Sequence, residues 1–175
     1  MGQDDTKHNL LFISKYPEII HEFTDAMKDR DIEIETAING IEAAAKIKKK
    51  NYDVVITGLS LEGYNGEQII TYLNKTAPST VCIIYTTTIS SAQLHFFINE
   101  RNVFRVFLRP VDFRGAFWEA LEEAYEYHAV QVKNEEDTGA RRQEQEKQER
   151  EIEIMDQRMR SQRQARETTN RYMKR

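Results

Sequence analysis

Lys15, Thr86 and Arg109 are the residues of this 175-residue chain whose types point together to a chemistry. Two cations and a hydroxyl can hold an anion. The same cations can instead be solvated or paired with Glu18 or Glu62, and sequence alone leaves that choice open. Other reactive residues form no constellation. His8, His21, His95 and His128 are scattered without ligand spacing, so no metal site is expected. Cys82 is the one cysteine, which excludes an internal disulfide and a Cys-based zinc cluster and fits a reducing compartment. Gly58, Gly63 and Gly66 lie close together, but no GK[ST] follows them as a phosphate loop requires. Asp53 reads as a residue that opens a strand. No catalytic residue and no cofactor is expected.

The elements that must position Lys15, Thr86 and Arg109 are legible in the first 130 residues. Leu10–Ile13 is an apolar run of strand length, and Pro17 suits the first turn of a helix carrying Ile20, Phe23 and Met27. Ile32–Thr36 alternates with period two, as in a strand with one solvated side. Asn39-Gly40 is a turn before an Ala/Lys/Glu-rich helix that ends in Lys46, Lys48, Lys49 and Lys50, cations suited to the negative end of a helix dipole. Val54–Thr57 and Val81–Tyr85 are continuous β-branched and apolar runs, expected for strands buried on both faces. Between them stands the glycine-bearing loop 58–66 and a helix with Ile69, Ile70 and Leu73. A helix across Ser91–Asn99, a strand Phe104–Leu108, and a helix striped with Phe113, Phe117, Leu121 and Ala124 complete the pattern. Five strand–helix units predict an α/β fold, a doubly wound five-stranded parallel sheet with right-handed crossovers. Function in such sheets sits at the C-terminal strand ends. Those positions are Ser14-Lys15, Gly58, Thr86-Thr87 and Arg109.

At these positions the chain resembles the CheY-like receiver domain of two-component response regulators. The resemblance covers residues 8–130 and rests on YDVVITGLSLEGYNG (52–66), INGIEA (38–43), IIYTTT (83–88) and FLRPVD (107–112). The segment INERNVFRVFLRP (98–110) looks most like receivers that precede HD-GYP phosphodiesterase and related output domains. The resemblance implies a flavodoxin/CheY-like fold and phosphoryl transfer to an aspartate at the end of the third strand. It also implies two acidic residues after the first strand for Mg²⁺, a Ser/Thr after the fourth and a Lys after the fifth. Here the phosphoacceptor position is Gly58, the acidic pair is Ser14-Lys15, and the lysine is Arg109, still followed by Pro110. Thr86 alone matches in kind. The expectation is a pseudo-receiver, degenerate at Ser14, Lys15, Gly58, Thr86 and Arg109 and not phosphorylated at an aspartate. The alternatives are a regulator that binds an anion or small ligand at Lys15/Thr86/Arg109, or a nucleic-acid binder acting through a basic C-terminal end.

Residues 1–7 are expected to be disordered, 8–132 to form the receiver-like domain, and 133–175 to be a charged tail. The boundary is placed around NEEDTG, with Asp137 and Gly139 as helix breakers. In the receiver family the fourth helix, fifth strand and fifth helix form the usual partner surface. Phe96, Phe104, Arg105, Trp118 and Tyr125 are the candidates for it here, with Trp118 and Tyr125 as an exposed pair. The tail is helical or disordered by composition, and Ile152, Met155 and Met159 keep a 3–4 spacing for about one and a half heptads, a candidate short coiled coil. Its charge is segregated by sign: from Arg158 onward it is Arg-rich, through Arg160, Arg163, Arg166, Arg171, Lys174 and Arg175, against Glu167. Without interleaved aromatics that end is a weak nucleic-acid signal. A protein partner in a signalling pathway and a homodimer are expected. Net charge is −4, so any polyanion contact must be local. No apolar run approaches the ~20 residues of a membrane span. The acidic start, MGQDDTKHN, lacks a signal core and matches a myristoylation pattern too loosely to carry weight, so cytoplasmic residence is expected. After residue 130 no phosphodiesterase, cyclase, kinase or helix-turn-helix module is recognisable, so no catalytic output is expected.

Overall fold

The computed structural model describes residues 7–173; the expected disorder of residues 1–7 thus falls almost wholly outside the described residues, as do Lys174 and Arg175. The elements run β1 (His8–Ile13), α1 (Pro17–Met27), β2 (Ile32–Ala37), α2 (Gly40–Lys49), β3 (Val54–Thr57), α3 (Gly66–Thr76), β4 (Val81–Thr86), α4 (Ser91–Glu100), β5 (Val103–Leu108) and α5 (Ala116–Met173). All strand pairs are parallel, in the order β2-β1-β3-β4-β5. By internal packing the chain divides into residues 1–132 and 133–175.

Local chemistry explains the helix starts. Pro17 opens α1, where its missing N–H is no loss. Asn39 caps α2 through the Glu42 N–H, and Asn65 with Gln68 and Ser90 with Gln93 form reciprocal capping boxes on α3 and α4. Lys46, in the last turn of α2, donates to the Thr36 carbonyl and pairs with Glu42. Lys50 bridges Glu33 and Glu35 on β2, and Tyr52 donates its hydroxyl to Glu35 at 2.8 Å. Hydrogen bonds from Lys50 and Tyr52 hold the Glu35 carboxyl below its usual range against the opposing effect of burial.

Strand pleat divides the core in two. Leu10, Phe12, Val54, Ile56, Ile83 and Tyr85 face one layer with Phe23, Phe113, Phe117 and Leu121. Leu11, Ile13, Val55, Cys82 and Ile84 face the other with Ile47, Ile69, Ile70 and Phe97. Strands apolar on both faces are what a helix-covered parallel sheet requires.

Two expectations need correction. Tyr125 is not part of an exposed patch: it is 6 % exposed, belongs to the first core layer and stacks on His8 at 4.3 Å. It lies four residues after Leu121 and eight after Phe117, on the apolar stripe itself. Asp137 and Gly139 break nothing, because the helix continues through both. One glycine costs a helix only about 1 kcal/mol relative to alanine, and the surrounding Glu, Gln, Arg and Lys are strong helix formers.

At the N-terminal edge of the sheet Asp53 does more than open β3. Its carboxylate accepts the Asn9 N–H at 3.3 Å and lies 3.2 Å from His128 Nε2 and 3.4 Å from His8 Nδ1. Burial pushes this carboxyl up, but His128, the Asn9 N–H and His8 outweigh it and hold the group below its usual range. A carboxyl depressed on folding adds stability that is present above its unfolded pKa and lost as pH falls through the folded value. Asp53→Asn is therefore expected to lose about 1–3 kcal/mol at neutral pH. Urea unfolding of both proteins should show the gap closing in acid; a constant gap at all pH values would contradict the assignment.

Candidate functional site at the strand ends

The chain order reverses between β1 and β3: from β1 it moves outward to β2, then returns to β3 on β1's other side. A crevice opens at such a switch point, beyond the C-terminal ends of the strands. The structure brings Ser14, Lys15, Gly58, Thr86 and Arg109 together there, in a cavity of about 70 Å³ also lined by Tyr16, Leu59, Ser60, Leu61, Tyr85 and Thr87. Backbone hydrogen bonds fix its floor: Ser14 N–H to Ala37 at 3.1 Å, Gly58 N–H to Ile13 at 3.0 Å and Arg109 N–H to Thr86 at 2.8 Å.

Ser14, Lys15, Ser60, Thr86 and Arg109 of this cavity are engaged with protein. Lys15 Nζ donates to Ser60 Oγ at 3.3 Å and lies 5.3 Å from the Tyr16 ring centre. Arg109 spreads over the faces of Tyr16 and Tyr85, at 4.5 and 5.9 Å. Aromatic faces attract such cations through their quadrupoles. The Thr86 hydroxyl donates to the Thr88 carbonyl at 3.2 Å, and Ser14 Oγ accepts the Tyr16 N–H at 3.2 Å. Tyr16 and Ser60, which hold the two cations, are the residues the sequence reading missed. Tyr16 sits at the N-cap position of α1, and its place between Lys15 and Pro17 was the available signal.

No Asp or Glu is among the described residues lining the cavity. Mg²⁺ is a hard cation that binds through carboxylates. A lining of hydroxyls, amides, an ammonium and a guanidinium does not fit it, and no step is derived through it. No group of three or more His, Cys, Asp and Glu suited to a metal occurs among the described residues. No Cβ clash forces glycine at 58. A Cβ there would meet Leu61 Cδ2 and the Tyr85 carbonyl at 3.8 Å, ordinary contact, and φ lies outside the left-handed region. The missing side chain is a chemical departure and not a demand of the backbone.

The candidate interaction residues separate into different environments. Phe96 is half-buried under Arg101, Phe104 packs beside Tyr127, and Trp118 is half-buried under Arg30 at 4.2 Å. Arg105 is exposed and pairs with Glu123 at 2.9 Å. The large apolar side chains exposed on α4, β5 and residues 116–132 of α5 are instead Leu94, Ile98, Leu108, Tyr127 and Val130. In the second unit Ile152, Met155 and Met159 are all exposed, with Ile154 beside them.

Among the described residues no helix is long and apolar enough to cross a membrane. No curated protein sequence matches the chain significantly. Solved structures do. The signal receiver domain of an HD domain-containing protein from Pseudomonas fluorescens Pf-5 is 19% identical, with a TM-score of 0.67 over 71% of this chain and 98% of that one. A CheY-like receiver domain protein from Methanospirillum hungatei JF-1 is 18% identical, with a TM-score of 0.65 over 71% and 99%. A structure described as adenylate cyclase from Rhodopirellula baltica is 21% identical, with a TM-score of 0.68 over 74% and 96%. At these identities the likeness is one of fold. The family model of the response regulator receiver domain matches residues 11–115, more than half the chain. With the 2-1-3-4-5 parallel sheet and its strand-end crevice, that match identifies the chain as a member of the response regulator receiver domain family of two-component signalling.

Proposed function

We propose that this receiver is a non-catalytic signalling module, a pseudo-receiver that is not phosphorylated at an aspartate and acts by binding a protein partner or a second copy of itself. One observation carries the reading. The receiver framework and its crevice are intact, yet Ser14, Lys15 and Gly58 stand at the three positions where the family keeps carboxylates. Phosphoryl transfer to a side chain needs a nucleophile, and its charge needs a metal cation held nearby. Gly58 has no side chain, and Lys15 brings positive charge to the position of a metal ligand. The surface left to carry a signal is that of α4, β5 and residues 116–132 of α5, where Leu94, Ile98, Leu108, Tyr127 and Val130 are exposed. The segment 98–110 and the similarity to the receiver of an HD domain-containing protein support kinship with receivers that work beside HD-type outputs. A cytoplasmic setting fits the buried, unpaired Cys82.

The test is intact-mass spectrometry of the full chain after incubation with acetyl phosphate and Mg²⁺. The expected result is an unchanged mass. A phosphoryl adduct that maps to an aspartate would end this reading.

A further inference from the structure

The helix of residues 133–173 presents an apolar seam that no described residue of its own unit covers. Ile152, Met155 and Met159 are exposed, and heptad spacing extends from them to Gln145 and Gln148 on one side and Gln162 on the other. The six positions, 145, 148, 152, 155, 159 and 162, alternate steps of three and four, the seam geometry of paired helices. With 145 opposite 162 in an antiparallel pair, Ile152 faces Met155 at the middle of the seam, Met159 faces Gln148 and Gln145 faces Gln162.

The charge pattern is not symmetric, and it selects a partner. Residues 133–157 hold five basic and nine acidic residues, while 158–173 hold five arginines and Glu167. The sign changes between Asp156 and Arg158, beside the apolar centre. A parallel pair would stack Arg158, Arg163 and Arg166 on their own copies and the acidic half on itself. An antiparallel pair, with position 145 opposite 162, sets residues 158–173, five arginines and one glutamate, on residues 134–149, three basic and six acidic. In that register Arg171 meets Glu135, Glu136 and Asp137, Arg163 meets Glu144 and Arg158 meets Glu149, against the like pairs Arg166–Arg141, Arg160–Lys147 and Asp156–Glu151. Like charges across such a seam repel and unlike charges set orientation. The pairs within one helix, Arg142–Glu146 and Asp156–Arg160, are exposed single contacts and leave most of these charges to a partner.

We infer that residues 133–173 pair with the same segment of a second copy of this chain as an antiparallel two-helix coiled coil centred on Ile152 and Met155. This names the second copy as a partner within the proposed binding function. A phosphoryl adduct would end that function and leave the pairing standing, whereas a failed pairing would leave the unphosphorylated module standing.

Cysteine cross-linking of the full chain tests the orientation, because the native Cys82 is buried. Q145C and Q162C substitute exposed polar positions at the two ends of the seam. In an antiparallel pair the two are adjacent, while 145 stands about 25 Å from its own copy at 1.5 Å per residue. Oxidation of a mixture of the variants is expected to give a disulfide-linked dimer containing one of each, with either variant alone staying unlinked. Light scattering of the unmodified chain should give a dimer mass that falls toward monomer as salt rises. Self-linking of each variant alone, or a monomer mass at low salt and tens of micromolar protein, would overturn the inference.

Discussion

Phe117→Ala is expected to lower the unfolding free energy by about 3–5 kcal/mol. The Phe117 ring is fully buried and touches four others, with centroid distances of 4.7 Å to Phe107, 5.1 Å to Phe113, and 6.0 Å to both Phe23 and Tyr85. These rings pack the N-terminal part of α5 against α1 and one face of the sheet. Edge-to-face pairs such as Phe113–Phe117, inclined at 89°, add to the burial of area. Removing the ring leaves a cavity that its rigid neighbours fill poorly. Since domains are stable by about 5–15 kcal/mol, the variant should sit near the edge of folding. Urea unfolding followed by circular dichroism reads the loss; a change below about 1 kcal/mol would mean that this layer is not the core.

Gly40→Ala is the second large effect, and its contrast with Gly58→Ala bears on function. A Cβ on Gly40 would lie 1.8 Å from the Tyr64 carbonyl oxygen, and one on Gly66 would lie 2.2 Å from the carbonyl oxygen of Gly58. Both obstacles are backbone, held by the Gly40 N–H to Glu62 and Gly66 N–H to Leu59 hydrogen bonds, so the loop 58–66 must move. Gly40→Ala should cost about 3 kcal/mol, at the upper end of overpacking effects. Gly58→Ala, whose Cβ meets only ordinary contacts, should change stability by no more than about 0.5 kcal/mol. Thermal unfolding of the two variants side by side checks this. Equal losses would mean that Gly58 is there for the fold and not as a chemical departure.

Most of the architecture is legible in residue order. Val54–Thr57 and Val81–Tyr85 read as buried strands because a parallel sheet covered on both faces admits no alternation. Asn39, Asn65 and Ser90 start helices where capping chemistry puts them. The strand order follows from the receiver resemblance and not from periodicity, which is blind to long-range pairing. Tyr125 shows a signal present but misread: position i+8 from Phe117 belongs to the stripe, and pairing it with Trp118 seven residues earlier displaced it to the margin. Gly139 shows the opposite, a local propensity too weak to override its neighbours. The pocket residues were legible as positions, since strand ends are, but not as contacts. That Tyr16 and Tyr85 face Arg109 depends on side-chain directions no spacing encodes. The His8–Asp53 and Asp53–His128 contacts join residues 45 and 75 positions apart and leave no local mark.

The proposed pseudo-receiver encloses a strand-end crevice without the chemistry of phosphoryl transfer. Amide-resolved NMR of the full chain, titrated with Mg²⁺ and then with acetyl phosphate, tests it most directly. The amides of Ser14, Lys15, Gly58, Thr86 and Arg109 report the crevice from all sides. No saturable shift is expected at these positions at either step. Saturable shifts there with Mg²⁺, followed by a second set with the phosphodonor, would contradict it.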